Sequence, residues 1–151
     1  MLLQEAIEFD AYYRCYCIGQ IDIRIMPYEP RNPHHLRYSA SFNTDEKIIE
    51  QIKDLVLKIN RALGYDFNTV EFAIRNGIPY CIDFTNPTPD CEPQSVGQEN
   101  FEWVLEAAAN MLIRKAKHHR EGQDNLTWGT FLKKAVKGAI ISEEKSYKVL
   151  A

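Results

Sequence analysis

The sequence lacks several features that would assign it at once to a broad class of protein. Its 151 residues contain no apolar run of about 18 residues, the length that spans a membrane. The N-terminus MLLQEAIEFD has neither the basic start nor the long apolar middle of a secretory signal peptide. A net charge of -3 gives no general attraction to nucleic acid or anionic membranes. We therefore expect a cytoplasmic protein that binds neither.

The sequence has only four cysteines, and they form neither a CxxC pair nor a disulfide framework. Cys15 and Cys17 fall on one face of a predicted strand and Cys81 lies inside another, which indicates reduced packing residues. A metal or redox role for Cys15 and Cys17 is the open alternative. The phosphate-binding patterns GxxxxGK(S/T) and GxGxxG are absent as well, which argues against P-loop and Rossmann sites.

What the sequence does contain is the composition of an ordinary globular domain, with 45% hydrophobic and 26% charged residues. The length fits a single domain, 1–151. YYRCYCI and IDIRIMPY predict a hairpin around Gly19-Gln20. TVEFAIR and IPYCID flank Asn76-Gly77, the strongest short hairpin signal, and predict a second one.

Two long helical patterns accompany these strands. Apolar residues recur every three or four positions from 45 to 63, with Asn43 or Thr44 as the N-cap and Gly64 as the stop. A second helix is predicted from Val96 to Lys117. We therefore predict an α+β fold with an antiparallel sheet packed with helices.

The details of the second helix are also predictable. Ser95 is its expected N-cap, and a shorter helix is expected from Thr127 to about Lys137. The inner face of the second helix is predicted to include Phe101, Val104, Leu105, Ala108, Met111 and Leu112.

The stretch GIPYCIDFTNPTPDCEP, residues 77–93, begins as a strand and ends as a proline-broken loop. Asp83 closes the strand and Asn86 follows it, while Glu71 lies on the other strand of the same hairpin. Two carboxylates and an amide oxygen suit a partly hydrated magnesium ion that bridges nucleotide phosphates. Solvated strand charges are the simpler alternative.

The register of this hairpin puts a condition on the site. A two-residue turn followed by an uninterrupted ladder pairs Glu71 with Ile82 and turns Asp83 to the opposite face of the sheet. The site therefore requires a longer connection or a β-bulge. Pro79 cannot donate to the ladder, and it is where we expect the irregularity.

The order of QEAI, YYRCYCIGQ, a long helix, VEFAIRNG and IDFTNP resembles the C-terminal lobe of an ATP-grasp carboxylate ligase. The similarity is to the branch that contains D-alanine:D-alanine ligases and glutamate-adding ligases. The resemblance implies ATP and Mg as cofactors. It also implies activation of a small-molecule or peptide carboxylate as an acylphosphate, for attack by an amine or thiol.

The resemblance also implies roles for particular residues. Glu71, Asp83 and Asn86 resemble the metal ligands, although Asp83 and Asn86 are one residue further apart than the family's usual acid-x-Asn. Arg14 or Arg24 resembles the basic catalytic residue that faces the phosphates. The hinge whose backbone receives adenine is matched by Gln4, Glu5, Ala6 and Ile7.

The resemblance covers about residues 2–115 and leaves a helical extension at about 116–151. The family's small lobe would precede residue 1, and LLQEAI already reads as a strand, so we expect a fragment that is inactive alone. A short native N-terminal strand is the simpler alternative for LLQEAI. The alternative is a non-catalytic, ligase-derived interaction or scaffold domain that self-associates as a homodimer.

Two segments of the sequence are rich in basic residues. The loop PRNPHHLRY is able to present its arginines and histidines to an anionic substrate, but solvated loop charges are the simpler reading. The cluster RKAKHHR at 114–120 fits a favourable interaction with a helix dipole better than nucleic-acid binding.

Overall fold

A computed structural model describes residues 3–121; the helix expected at 127–137 and most of the extension lie outside these residues. The elements are β1 (Ala11–Ile18), β2 (Asp22–Pro27), a 3-10 helix (His34–Ser39), α1 (Glu46–Leu63), β3 (Phe67–Arg75), β4 (Ile78–Asn86), α2 (Pro93–Val96) and α3 (Gln98–Lys117). The strands form one antiparallel sheet in the order β2-β1-β3-β4. The predicted α+β class is confirmed. No described helix has the length and apolar character needed to cross a membrane.

Both predicted hairpins are present, but the strand expected at LLQEAI is not. Asn76 and Gly77 have φ values of 52° and 73°, as a two-residue hairpin turn of the I′ type requires. Residues 3–9 form no strand. The chain joins the sheet where the Asp10 N–H donates to the Ile74 carbonyl at 2.8 Å.

The helix α1 begins one residue later than the expected caps allow. Its N-cap is Asp45, whose carboxylate accepts from the Lys47 N–H at 2.8 Å, so Asn43 and Thr44 are not the cap. Thr44 instead accepts a hydrogen bond from the Tyr13 hydroxyl. Gly64 ends the helix in the left-handed conformation, as predicted.

One face of the sheet is covered by α1. Ile52 and Val56 of the helix are fully buried there. The strand residues that they meet in this core are Ala11, Tyr13, Cys15, Cys17, Val70, Phe72 and Ile74. Cys15 and Cys17 are fully buried free thiols, as expected for packing residues, whereas Cys81 on the edge strand β4 is exposed, contrary to that expectation. Burial raises the pKa of Cys17 to about 12, so this thiol does not ionise at neutral pH.

The prediction of one continuous helix from Val96 to Lys117 is wrong at the start of that helix. Gly97 has φ 84° and separates the short α2 from α3, so the helix is broken there. Ser95 lies inside α2 and is not a cap. The cause is local, because a residue with positive φ cannot continue a right-handed helix.

The helix α3 packs on the other face of the sheet through Val104, Ala107 and Met111. Leu105 and Leu112, predicted to face inward, are 54% and 63% exposed. The rotation of α3 is fixed near its start, where Arg24 of β2 binds the Asn100 amide oxygen at 2.9 Å and the Glu99 carboxylate at 2.5 Å. This helix covers the Tyr16, Ile18 and Met26 part of the face.

We expect Gly19→Ala to destabilise the fold by about 2–4 kcal/mol. Gly19 has φ 61°, and a Cβ there would lie 2.9 Å from both Met111 Cγ and Arg114 Nη2. Gly77→Ala is the matched control, because its φ is 73° but its nearest contact is 3.8 Å. That variant should lose only about 1 kcal/mol from backbone strain. Equal losses of stability in urea unfolding would contradict the close approach of Gly19 to α3.

Candidate functional site

The pairing of β4 with β3 satisfies the condition that the sequence set for the site. The register shifts by one residue near the middle of the hairpin, so that Glu71 lies opposite Asp83 and not opposite Ile82. A bulge is therefore present, as expected, but the expected position is wrong. Pro79 pairs regularly with Ile74, because β4 is an edge strand and such a strand tolerates a residue without an N–H.

A second register shift brings Asn86 to the same face. Side chains three residues apart point to opposite faces in a regular strand. The extra residue between the Glu71 and Thr69 pairings places Asn86 opposite Thr69, which shares its face with Glu71. This bulge compensates for the long spacing between Asp83 and Asn86. Three oxygen-bearing residues thus share one face, and their role as metal ligands stays a prediction.

The second bulge is held by a buried amide network beneath it. The fully buried Asn68 donates to the Phe84 carbonyl at 2.9 Å and accepts from the Asn86 N–H at 2.7 Å. It also donates to the Asn60 amide oxygen, and Asn60 in turn donates to the Val56 carbonyl. The Asn68 side chain therefore provides hydrogen bonds that the strand ladder loses at the bulge.

Glu71 is held by two residues of β1. The Tyr12 hydroxyl donates to Glu71 Oε2 at 2.6 Å, and Arg14 Nε lies 3.5 Å from Glu71 Oε1. Burial, and then the hydrogen bond to Glu71, raise the pKa of Tyr12, which keeps this hydroxyl protonated as a donor. The carboxylate retains acceptor capacity, because a carboxylate has about four lone-pair positions.

Arg14, one of the two predicted catalytic arginines, is a buried residue. Its guanidinium donates to the Tyr38 hydroxyl at 2.9 Å and to Thr69 Oγ1 at 3.5 Å, and it lies 5.5 Å from the centre of the Tyr28 ring. Its Nε makes no hydrogen bond within the described residues, despite its charge contact with Glu71. A phosphate role for Arg14 stays a prediction. So does one for Arg24, whose described partners lie on α3.

A cleft of about 260 Å³ lies at the end of this face that α3 leaves uncovered. The predicted hinge residues, Gln4 to Ile7, form one side of it. The rest of its lining consists of Phe9, Tyr12, Ala73 and Ile82. Within residues 3–121, the hinge backbone makes no hydrogen bond to other backbone groups.

The fold of this chain is similar to that of a solved structure. No protein-family model matches the sequence, and no curated protein matches it. The crystal structure of D-alanine–D-alanine ligase from Bacillus anthracis complexed with ATP is similar, with a TM-score of 0.54 and 13% sequence identity. The chain has an ATP-grasp-like α+β fold. The similarity covers 74% of this chain and 41% of the ligase, so the chain spans less than half of that protein.

The candidate ligands on this ATP-grasp-like sheet suit a partly hydrated magnesium ion better than a metal ion that only protein groups surround. Glu71, Asp83 and Asn86 are hard oxygen donors, and Asp83 is exposed to solvent. No group of three His, Cys, Asp or Glu residues able to hold a metal occurs in the described part of the chain. Two carboxylates and one amide match an ion that keeps several waters and shares its coordination with phosphates.

The arginines of the PRNPHHLRY loop are engaged within the loop region. Arg31 binds both carboxylate oxygens of Glu29 at 2.7 Å, and Arg37 donates to the Tyr28 hydroxyl and the Asn32 carbonyl. These contacts favour the reading of structural loop charges over that of an anion-binding loop.

Asp90, Ser95 and His34 form a second polar cluster, which resembles a catalytic triad in composition only. Ser95 Oγ donates to the Asp90 carboxylate, and His34 Nε2 lies 3.3 Å from both Ser95 Oγ and Asp90 Oδ2. In a triad, the acid and the serine contact different ring nitrogens, whereas here one nitrogen meets both. The cluster therefore joins the 3-10 helix to α2.

Sequence reasoning did not identify Asn68 as a site residue. It placed Tyr12 only within the stretch Asp10 to Tyr13, where the resemblance implies a ribose contact, and chose no single residue there. Asn68 had a recognisable signal, since alternation along FNTVEFAIR places it on the same buried face as Val70 and Phe72. A polar residue on such a face requires partners. Tyr12 had a weaker signal, namely its position two residues before Arg14 on one strand face.

We expect Asn68→Ala to lower the free energy of unfolding by about 3 kcal/mol, because the buried Asn60 amide and two part-buried backbone groups, those of Phe84 and Asn86, lose partners worth about 1–3 kcal/mol each. Asn32→Ala is the control, because the Asn32 side chain makes a single exposed bond within the described residues, to the Leu36 carbonyl at 3.4 Å. Urea unfolding compares the two variants. If both variants lose the same small amount of unfolding free energy, the bulge does not depend on Asn68.

The Asp90 carboxyl makes the stability of the fold depend on pH. Burial opposes ionisation of Asp90, but hydrogen bonds from Ser95 and from the Glu92 N–H lower its pKa overall. A carboxyl whose pKa is lowered by folding stabilises the protein above its unfolded pKa, near 3.9, and this contribution disappears as the pH falls through the folded pKa. Asp90→Asn should therefore lose stability at pH 6 and show a flatter decline below about pH 4. An unchanged profile in thermal unfolding would contradict this.

Proposed function

We propose that this chain provides the ATP- and Mg-binding surface of an ATP-grasp carboxylate ligase. One observation carries the proposal: two bulges in β4 place Asp83 and Asn86 on the same face as Glu71. The cleft lined by the predicted hinge lies beside them, since Tyr12 both lines it and binds Glu71. A similar fold occurs in a ligase whose crystal structure contains ATP.

In this proposal the apolar cleft receives the adenine. The backbone of Gln4 to Ile7, which has no backbone partner among residues 3–121, offers hydrogen bonds to the base. Phe9, Tyr12 and Ile82 contact the faces and edge of the base. The phosphates then extend toward Glu71 and Asp83. A magnesium ion bound there would neutralise phosphate charge and orient the terminal phosphoryl group.

The reaction proposed for the whole enzyme has two steps. A substrate carboxylate oxygen attacks the terminal phosphorus of ATP, which forms an acylphosphate and releases ADP. An amine or thiol then attacks the acyl carbon, and inorganic phosphate leaves as the amide or thioester forms. The small-molecule or peptide substrate that supplies the carboxylate is left open.

The described cleft is smaller than the roughly 300–1,000 Å³ of typical ligand sites. It is therefore suited to hold part of a nucleotide, and it leaves the phosphates open to water. We expect the isolated chain to bind Mg-ATP weakly and to show no ligase turnover.

Calorimetry with Mg-ATP tests the proposal. Asp83→Asn removes one charge from an exposed side chain and should weaken binding at least tenfold, about 1.4 kcal/mol. Glu71→Ala should do the same. Asp54→Asn is the matched control, because Asp54 is exposed on α1, which covers the other face of the sheet. Binding that is equal in all four proteins would overturn the metal assignment.

A scaffold that self-associates is a second candidate, favoured by the outer face of α3. Leu105, Leu112 and Ile113 are each more than half exposed there. An exposed apolar patch is a common basis for association. Analytical sedimentation of the wild type and of Leu112→Glu separates the two candidate functions. The scaffold is supported if the wild type is a dimer that the substitution abolishes and if the wild type does not bind Mg-ATP.

A further inference from the structure

Tyr12 is the residue that contacts both parts of the proposed site. Its side chain is only 5% exposed, and its ring packs 5.1 Å from Phe9 and 5.8 Å from Tyr28, measured between ring centres. The same ring forms part of the cleft wall. Its hydroxyl lies at the other end of the ring and donates to Glu71 Oε2 at 2.6 Å. The ring packing therefore fixes where this donor lies.

The hydroxyl is the closest polar contact that fixes the Glu71 carboxylate. The other described partner, Arg14 Nε, is 3.5 Å away and makes no hydrogen bond. Arg14 itself is held elsewhere, by Tyr38 and Thr69. Without the Tyr12 hydroxyl, Glu71 retains the charge attraction of Arg14 but loses the bond that sets the direction of its oxygens.

We propose that Tyr12 is a positioning residue, whose hydroxyl orients Glu71 for a divalent cation while its ring contacts the nucleoside. This inference rests on the proposed function of the site. Hydrogen bonds to a ligating carboxylate commonly change metal affinity by 10–100-fold. The two ends of Tyr12 thus have separable effects, because phenylalanine retains the ring and removes only the hydroxyl.

The test measures Mn²⁺ and adenosine binding to the full 151-residue chain. Free Mn²⁺ is followed by its electron paramagnetic resonance signal, and adenosine is followed by calorimetry. Tyr12→Phe should weaken Mn²⁺ binding about tenfold or more and leave adenosine binding unchanged. A purely structural loss would weaken both.

Tyr13→Phe is the matched control. Tyr13 is also 5% exposed, and its hydroxyl makes a bond of 2.7 Å to Thr44 Oγ1 on the opposite face of the sheet. This variant removes the same chemical group and should bind Mn²⁺ like the wild type. Circular dichroism checks that both variants fold.

Three results would overturn the inference. Equal Mn²⁺ affinity in Tyr12→Phe and the wild type, with weaker binding in Asp83→Asn, would remove the role of Tyr12 and leave the proposed function standing. Parallel loss of adenosine and Mn²⁺ affinity in Tyr12→Phe would show a general packing effect. Failure of the wild type to bind Mn²⁺ or Mg-ATP would overturn the proposed function, and the inference with it.

Discussion

The carboxamide of Asn68 is the constraint on which the proposed site depends. An extra residue in a strand leaves backbone groups without their ladder partners, and these groups need other partners to replace the lost hydrogen bonds. Asn68 supplies partners to Phe84 and Asn86 from beneath, and Asn60 of α1 fixes its orientation. The helix on one face of the sheet thereby determines which side chains appear on the other.

The second feature that shapes the site is the uneven cover of the sheet. α1 covers one face through a continuous apolar core, whereas α3 covers only part of the other. At the uncovered end, aromatic side chains lie next to the polar network of Tyr12, Arg14 and Glu71. A buried charge such as Arg14 requires partners, and these hydroxyl and carboxylate groups provide them. Polar chemistry is therefore concentrated where helical packing ends.

The ATP-grasp-like fold and the proposed activity rest on different grounds. A TM-score of 0.54 at 13% identity establishes a shared arrangement of strands and helices. Function depends on particular groups placed on that arrangement. In this chain the relevant groups depend on two local departures from regular strand geometry, which the overall arrangement does not dictate.

The sequence by itself determined the elements whose signals are local. Asn76-Gly77 specified a hairpin, because both central positions of the turn need positive φ and these two residues adopt it readily. The spacing of apolar residues from Ile48 to Ile59 specified α1. The sequence also showed that Glu71 and Asp83 share a face only if the hairpin has a longer connection or a β-bulge. Tertiary structure alone decided where the bulges lie, which leucines of α3 are exposed, and which residues hold Glu71. These outcomes depend on contacts between residues distant in the chain, such as Tyr12 with Glu71, and such contacts leave little trace in local patterns.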